Sequence, residues 1–134
     1  MIDPSLPLQA AIVAALKADA ALKVLIDGRV FDDVPAGVTF PYISLGPDDP
    51  LDDPDTCVGG ARTDCQINIW SRAVGRVEAK RILQAAIVVL DTALDVEGHA
   101  VTIHQVVRST VLRDPDDKTK HGVLTMRYAT TPTP

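Results

Sequence analysis

The residues best suited to chemistry are five aspartates, Asp48, Asp49, Asp52, Asp53 and Asp55, packed into one short stretch. Carboxylates at that density suit a hard cation such as calcium, which takes oxygen ligands. Calcium loops space those ligands alternately around a central glycine, however, and here Pro50 and Pro54 break the pairs. The stretch is therefore expected to be a solvated acidic loop with no metal, or a source of negative field facing a polyanion. His99, His104 and His121 are possible zinc ligands together with Cys57 and Cys65. Structural zinc sites pair their ligands a few residues apart, and no such pairing occurs. Cys57 with a distant histidine would make a nucleophile pair, but no spacing supports one. G-x-S-x-G, H-E-x-x-H and phosphate-cradling loops are all missing from the sequence. Neither catalysis nor a cofactor is expected.

Composition narrows the classes further. The 134 residues suit one domain spanning 1–134 with a real core. Hydrophobic residues make up 46% but aromatics only 4%, so the core must be aliphatic. Stacking platforms for single-stranded nucleic acid are correspondingly scarce. The net charge is -5 and no segment clusters Lys and Arg, which argues against a phosphate-gripping groove. No apolar run reaches the roughly 20 residues of a membrane span. The start, MIDPSLPLQ, lacks the positive region of a secretory signal. A soluble cytosolic protein with free thiols is expected.

Residues 64–94 organise the rest. DCQINIW alternates, with Cys65, Ile67 and Ile69 on one side and Asp64, Gln66, Asn68 and Trp70 on the other, which is the period of a half-buried strand. Ser71 is placed to cap the helix that follows, over 74–94. Val77, Leu83, Ile87, Leu90 and Leu94 are its expected core stripe. Towards 85–90 this helix is apolar nearly all round, so a second surface, such as a neighbouring subunit, would cover it.

Ahead of this unit, residues 5–18 form a helix capped by Ser5, with Leu8, Ala11, Ile12, Ala15 and Leu16 in one stripe. Asp19 caps a short second turn that Gly28 ends. GRVFDD is a short edge strand and PYISLG a strand opened by Pro41. Residues 46–62, with three prolines, three glycines and five aspartates, form a long acidic flexible loop. After the helix, AVTIHQVVRSTVLR is a strand with Val101, Ile103, Val107 and Val111 inward. Gln105 and Ser109 interrupt that face, so a bulge is expected. GVLTMRYAT is the last strand, with Leu124, Met126 and Tyr128 inward, and 130–134 is a loose tail. His99 and His121 belong to exposed turns. The expected core includes Ile67, Ile69, Leu83, Ile87, Leu90, Val101, Ile103, Leu124 and Met126.

This order predicts an α+β fold, a mainly antiparallel sheet of four to five strands with two helices on one face. The opposite face mixes Trp70, Val106 and Leu112 with Asn68, His104 and Arg108, the mixture found where subunits pack. Asn68, Trp70, His104, Val106 and Arg108 are the candidate subunit interface.

The order of motifs also resembles a known family. L-x-x-A-I-x-x-x-L in the first helix is followed by GRVFDDVP, PYISLG, a variable loop, INIWSR, VEAKRIL and HGVLTMRY. Together these resemble the tail-completion family of long-tailed phages and gene transfer agents, over about 8–128. The resemblance implies a structural virion protein without catalysis, a tail terminator. It implies a ring, commonly of six copies, that caps the tail tube and offers a surface to the head connector. DNA would pass through without specific binding, and the acidic loop would line the channel or an interface. The chain would assemble in the producing cell's cytoplasm and then reside at the head–tail junction. A head-side adaptor or stopper ring is the alternative within the same class, and a small non-virion binding module lies outside it.

Overall fold

The computed structural model describes residues 1–53 and 59–134. Along the chain run α1 (Ser5–Ala18), α2 (Ala20–Ile26), β1 (Val30–Phe31), β2 (Tyr42–Asp52), β3 (Ala61–Ser71), α3 (Val77–Leu90), β4 (His99–Arg113) and β5 (Lys120–Pro132). The strands form one sheet in the order β1-β2-β3-β5-β4. β1 pairs parallel to β2 and every other pair is antiparallel, so the fold is α+β. Three helices, not two, pack on the sheet, because the short turn after Asp19 is a true helix.

The alternation of DCQINIW is realised in β3. Cys65, Ile67 and Ile69 are buried beside Leu124, Met126 and Tyr128 of β5. Leu8, Ile12 and Leu16 of α1 and Leu22 and Ile26 of α2 close over them. The α1 start differs from expectation. Pro4 occupies the cap position, where no side chain caps, and Ser5 is the first helical residue, its amide donating to Asp3 Oδ1 at 2.9 Å. Asp19 caps α2 as expected, accepting from the Leu22 amide at 3.0 Å.

α3 is shorter than 74–94. Gly75 has φ 76°, a left-handed conformation that a helix cannot include, and the helix begins at Val77. Its end is fixed by Tyr128, whose hydroxyl donates to the Leu90 carbonyl at 2.6 Å. That carbonyl is one of those a helix terminus leaves without an internal partner. The buried face is Ala79, Ile82, Leu83, Ala86 and Leu90. Val77 is 60% exposed and Ile87 only partly buried, so the real stripe is rotated from the expected one. Ser71 does not cap the helix. Its hydroxyl accepts from the Ala73 amide and donates to Glu78, tying the strand end to the first turn. α3 can approach β5 because Gly122 lies beneath it. A Cβ there would sit 3.1 Å from the Ile69 Cβ and 3.3 Å from the Leu83 Cδ1.

Two strand assignments change. β2 does not stop at Gly46. It continues through Asp48, Asp49 and Asp52, paired with β3 beyond an irregularity between Leu45 and Asp48. Residues 46–52 and 61–62 are therefore strand, not flexible loop. Prolines are tolerated there because β2 is an open edge beyond the two residues that β1 covers. β5 runs on to Pro132, so 130–132 is not a loose tail either.

β4 carries register shifts between Val101 and Ile103 and between Val106 and Arg108. Each shift flips the faces that follow. Val101, Val106 and Val111 consequently pack on the core, whereas Ile103 and Val107 are 47% and 42% exposed. The expected inward set is thus corrected at two of its four positions.

Candidate interaction surface

The sheet face opposite the helices is bare among the described residues. Register defines it: Asp64, Gln66, Asn68 and Trp70 of β3 lie beside Arg127, Thr125, Val123 and His121 of β5. Gln105, Arg108, Thr110 and Leu112 of β4 extend it on one side. Tyr42 and Ser44 of β2 extend it on the other.

An aromatic ladder crosses one end of this face. Phe31 and Phe40 meet Tyr42 edge-on at 6.0 and 5.0 Å between ring centroids. Tyr42 stacks on Trp70 at 6.4 Å, and Trp70 on His121 at 3.9 Å. The Arg72 guanidinium lies 4.1 Å from the Phe40 ring centroid, a cation–π contact. Of the five aromatic residues in the chain, Tyr128 belongs to the main hydrophobic cluster, and Tyr42, also buried at 8%, lies on the opposite face. The low aromatic content is thus concentrated on the face that lacks helices.

Polar groups lock the ladder. The Trp70 indole N–H donates to the Ser44 hydroxyl at 2.9 Å. Asn68 Oδ1 accepts from Gln66 Nε2 and from His121 Nε2, both at 2.8 Å, which sets the imidazole proton on Nε2. Gly46 permits this close packing, since a Cβ there would lie 2.9 Å from the Gln66 Cβ. Burial pushes the His121 pKa below its usual value, with Asp114 opposing. Further along, Arg127 forks onto both Asp64 oxygens at 2.8 and 3.0 Å.

The expected interface residues divide between two faces. Asn68, Trp70 and Arg108 share the bare face. His104 and Val106 do not, because the shifts in β4 turn them to the helix side. There His104 Nδ1 meets the Asp91 carboxylate at 2.7 Å, and Val106 packs on the core.

The aspartates are likewise dispersed. Asp49 and Asp52 are exposed on β2, with Asp52 3.5 Å from the Met1 amino group. Asp48 is half-buried. Its pKa is raised by burial and by Asp32 and Asp3, against a hydrogen bond with Cys65. Asp53 is buried, 3.7 Å from Arg62. Asp55 and Cys57 lie outside the described residues. Burial also raises the pKa of the Cys65 thiol, with Asp48 adding to it, so this cysteine is an inert core group.

A second surface lies between α2 and α3. Val24 and Val88, 87% and 64% exposed, flank an apolar groove completed by Ala21, Leu25 and Ala85. It coincides with the all-round apolar stretch of α3 seen in the sequence.

A family model described as tail completion protein gp17 matches residues 10–131. The chain belongs to the tail completion protein gp17 family. Among solved structures, a chain from the "Virion of native gene transfer agent (GTA) particle" superposes with a TM-score of 0.84 at 30% identity, covering 92% of this chain and 93% of that one. Gp17 of bacteriophage SPP1 shares the fold at a TM-score of 0.60 and 23% identity, over 90% and 86% of the two chains. No match is found among curated proteins. As a member of this family, the chain is a structural tail-completion protein of phage or gene-transfer-agent virions. No described helix is long and apolar enough to cross a membrane.

Sequence reasoning missed much of what this family member displays on its bare face. His121 is not a turn residue but lies in β5, stacked on Trp70. Tyr42, Ser44 and the Asp64–Arg127 pair also belong to this face, beyond the residues expected from alternation in β3 and β4. Alternation within PYISLG places Tyr42 and Ser44 on the side opposite Ile43 and Leu45.

Proposed function

We propose that this protein is a tail terminator that forms a ring, commonly of six copies, capping the tail tube and joining it to the head connector. The observation that supports this most is the likeness to a chain of a gene-transfer-agent virion over nearly the whole of both chains. Physical features agree with a ring component. A helix-free face and two open strand edges leave extensive backbone and side-chain surface for neighbours. DNA would slide through without specific binding. The exposed β2 carboxylates Asp49 and Asp52, with the half-buried Asp48, would line the channel or a subunit interface. At physiological salt their repulsion acts over about 8 Å, so a channel role requires them near the DNA path. Assembly would take place in the cytoplasm of the producing bacterium, and the mature location would be the head–tail junction.

A head-side adaptor or stopper ring is the second reading, supported by the same family membership. Deleting the gene separates the two. Loss of a terminator should give tubes of uncontrolled length, whereas loss of a stopper should leave tubes of normal length that fail to join heads. Normal, fully joined particles from the deletion would contradict both.

A further inference from the structure

The two edges of the sheet carry opposite charge. β4 forms one edge, pairing only with β5 among the described residues. From His99 to Arg113 it holds Arg108, Arg113 and two histidines but no acidic residue. Past Arg113 the edge opens into a cleft of about 530 Å³ lined by Arg72, Lys118 and Lys120, against Asp117. The opposite edge is β2, which β1 covers only at Ile43 and Ser44. Beyond that cover β2 holds Asp48, Asp49 and Asp52 and no basic residue. Among the described residues neither Arg108 nor Asp49 has an ion-pair partner. The Arg113–Asp117 pair, at 3.3 Å with both side chains more than half exposed, is the kind that contributes little.

Both edges also show apolar side chains to solvent. Ile103, Val107 and Leu112 on β4 are 47%, 42% and 49% exposed, and Leu51 on β2 is 59% exposed. A long, proline-free, partly apolar edge is a pairing hazard unless something covers it. Pro47 and Pro50 strip donors from the β2 edge, so β2 is a poor template for a continuous backbone ladder. Contact there would be carried by side chains.

We propose that the cationic β4 edge of one copy receives the acidic β2 edge of the next copy, head to tail. The proposal rests on the ring reading and names its contact. Two different patches meet, so association propagates in one sense and can close into a ring. A two-fold contact between β4 edges would instead set Arg108 and Arg113 against their own copies, a costly like-charge arrangement.

Charge reversal tests this directly. Arg108→Glu with Arg113→Glu makes one variant, and Asp49→Lys with Asp52→Lys the other. All four residues are exposed, so circular dichroism and melting should match the wild type. Each variant alone should self-associate at least about tenfold more weakly in sedimentation, since opposed like charges cost more than the 1.4 kcal/mol that tenfold represents. An equimolar mixture restores opposite charge at every contact of an alternating ring, and association should recover. Particle assembly supplies the same readout in place: each variant alone should fail to complement a deletion, and the two together should succeed. If either variant associates or complements like the wild type, or if the mixture does not recover, the edge contact is wrong. A ring that persists in variant particles would overturn the contact and leave the ring reading standing. Wild-type particles without a ring would overturn the ring reading itself.

Discussion

The indole of Trp70 and the imidazole of His121 lie face to face, centroids 3.9 Å apart and planes within 8°. The imidazole donates its Nε2 proton to Asn68, and the stack shields the ring from water. Burial therefore favours the neutral form and lowers the pKa below 6.5. A histidine whose folded pKa is depressed stabilises the fold fully above its unfolded pKa. That contribution is lost as pH falls through the folded value, because the unfolded chain then binds more protons. Urea unfolding should show stability falling below about pH 6.5, the ordinary histidine value. His121→Gln should flatten this part of the profile. A profile identical in the two proteins would contradict the neutral stack.

The helical core face is testable residue by residue. Ile82 is fully buried and Leu83 only 5% exposed, so either change to alanine should cost ~2–5 kcal/mol. Val77→Ala, on the exposed side, should stay within about 0.5 kcal/mol of wild type. Equal losses at Val77 and Ile82 in chemical denaturation would mean that α3 presents a different face.

Tyr128→Phe removes the donor that satisfies Leu90 at the end of α3. Leaving a buried carbonyl unpaired should cost about 1–3 kcal/mol. The ring remains, so packing is conserved and the loss isolates the hydroxyl. Amide exchange should show fraying confined to the last turn of α3. An unchanged melting temperature would show that the carbonyl finds another partner.

Neutralising Asp48, Asp49 and Asp52 to asparagine should leave the fold intact. Asp48 is already held towards its protonated form by burial, and Asp49 sits directly across from Asp64, a like-charge pair. Melting should be unchanged or slightly raised. Self-association should weaken, and if the carboxylates also face the channel, DNA delivery should slow in particles that do assemble. Wild-type association and wild-type delivery together would leave these residues as tolerated surface charge.

Much of the fold is legible from periodicity alone. Alternation in DCQINIW fixes the buried side of β3, and the stripe Leu8, Ile12, Leu16 fixes α1. Three features escape such reading for physical reasons. Aspartates and prolines from Asp48 to Asp52 have loop chemistry, yet an edge strand tolerates them and pairing with β3 overrides local preference. In β4 the interruptions at Gln105 and Ser109 announce a bulge. They do not announce two shifts: the first turns Ile103 outward and Val106 inward, and the second returns Arg108 to the bare face and Val111 to the core. The Trp70–His121 stack depends on register between strands about 50 residues apart in sequence, which no local pattern encodes. Interface residues inferred by alternation inherit these errors, and so Asn68, Trp70 and Arg108 share the bare face while His104 and Val106 do not.

Locating the chain in an intact particle tests the central claim most directly. Electron-microscopic reconstruction of the head–tail junction should show a closed ring of copies, six on this reading, between the last ring of the tail tube and the head connector. Density for this chain elsewhere in the particle, or as isolated copies at the junction, would contradict the account.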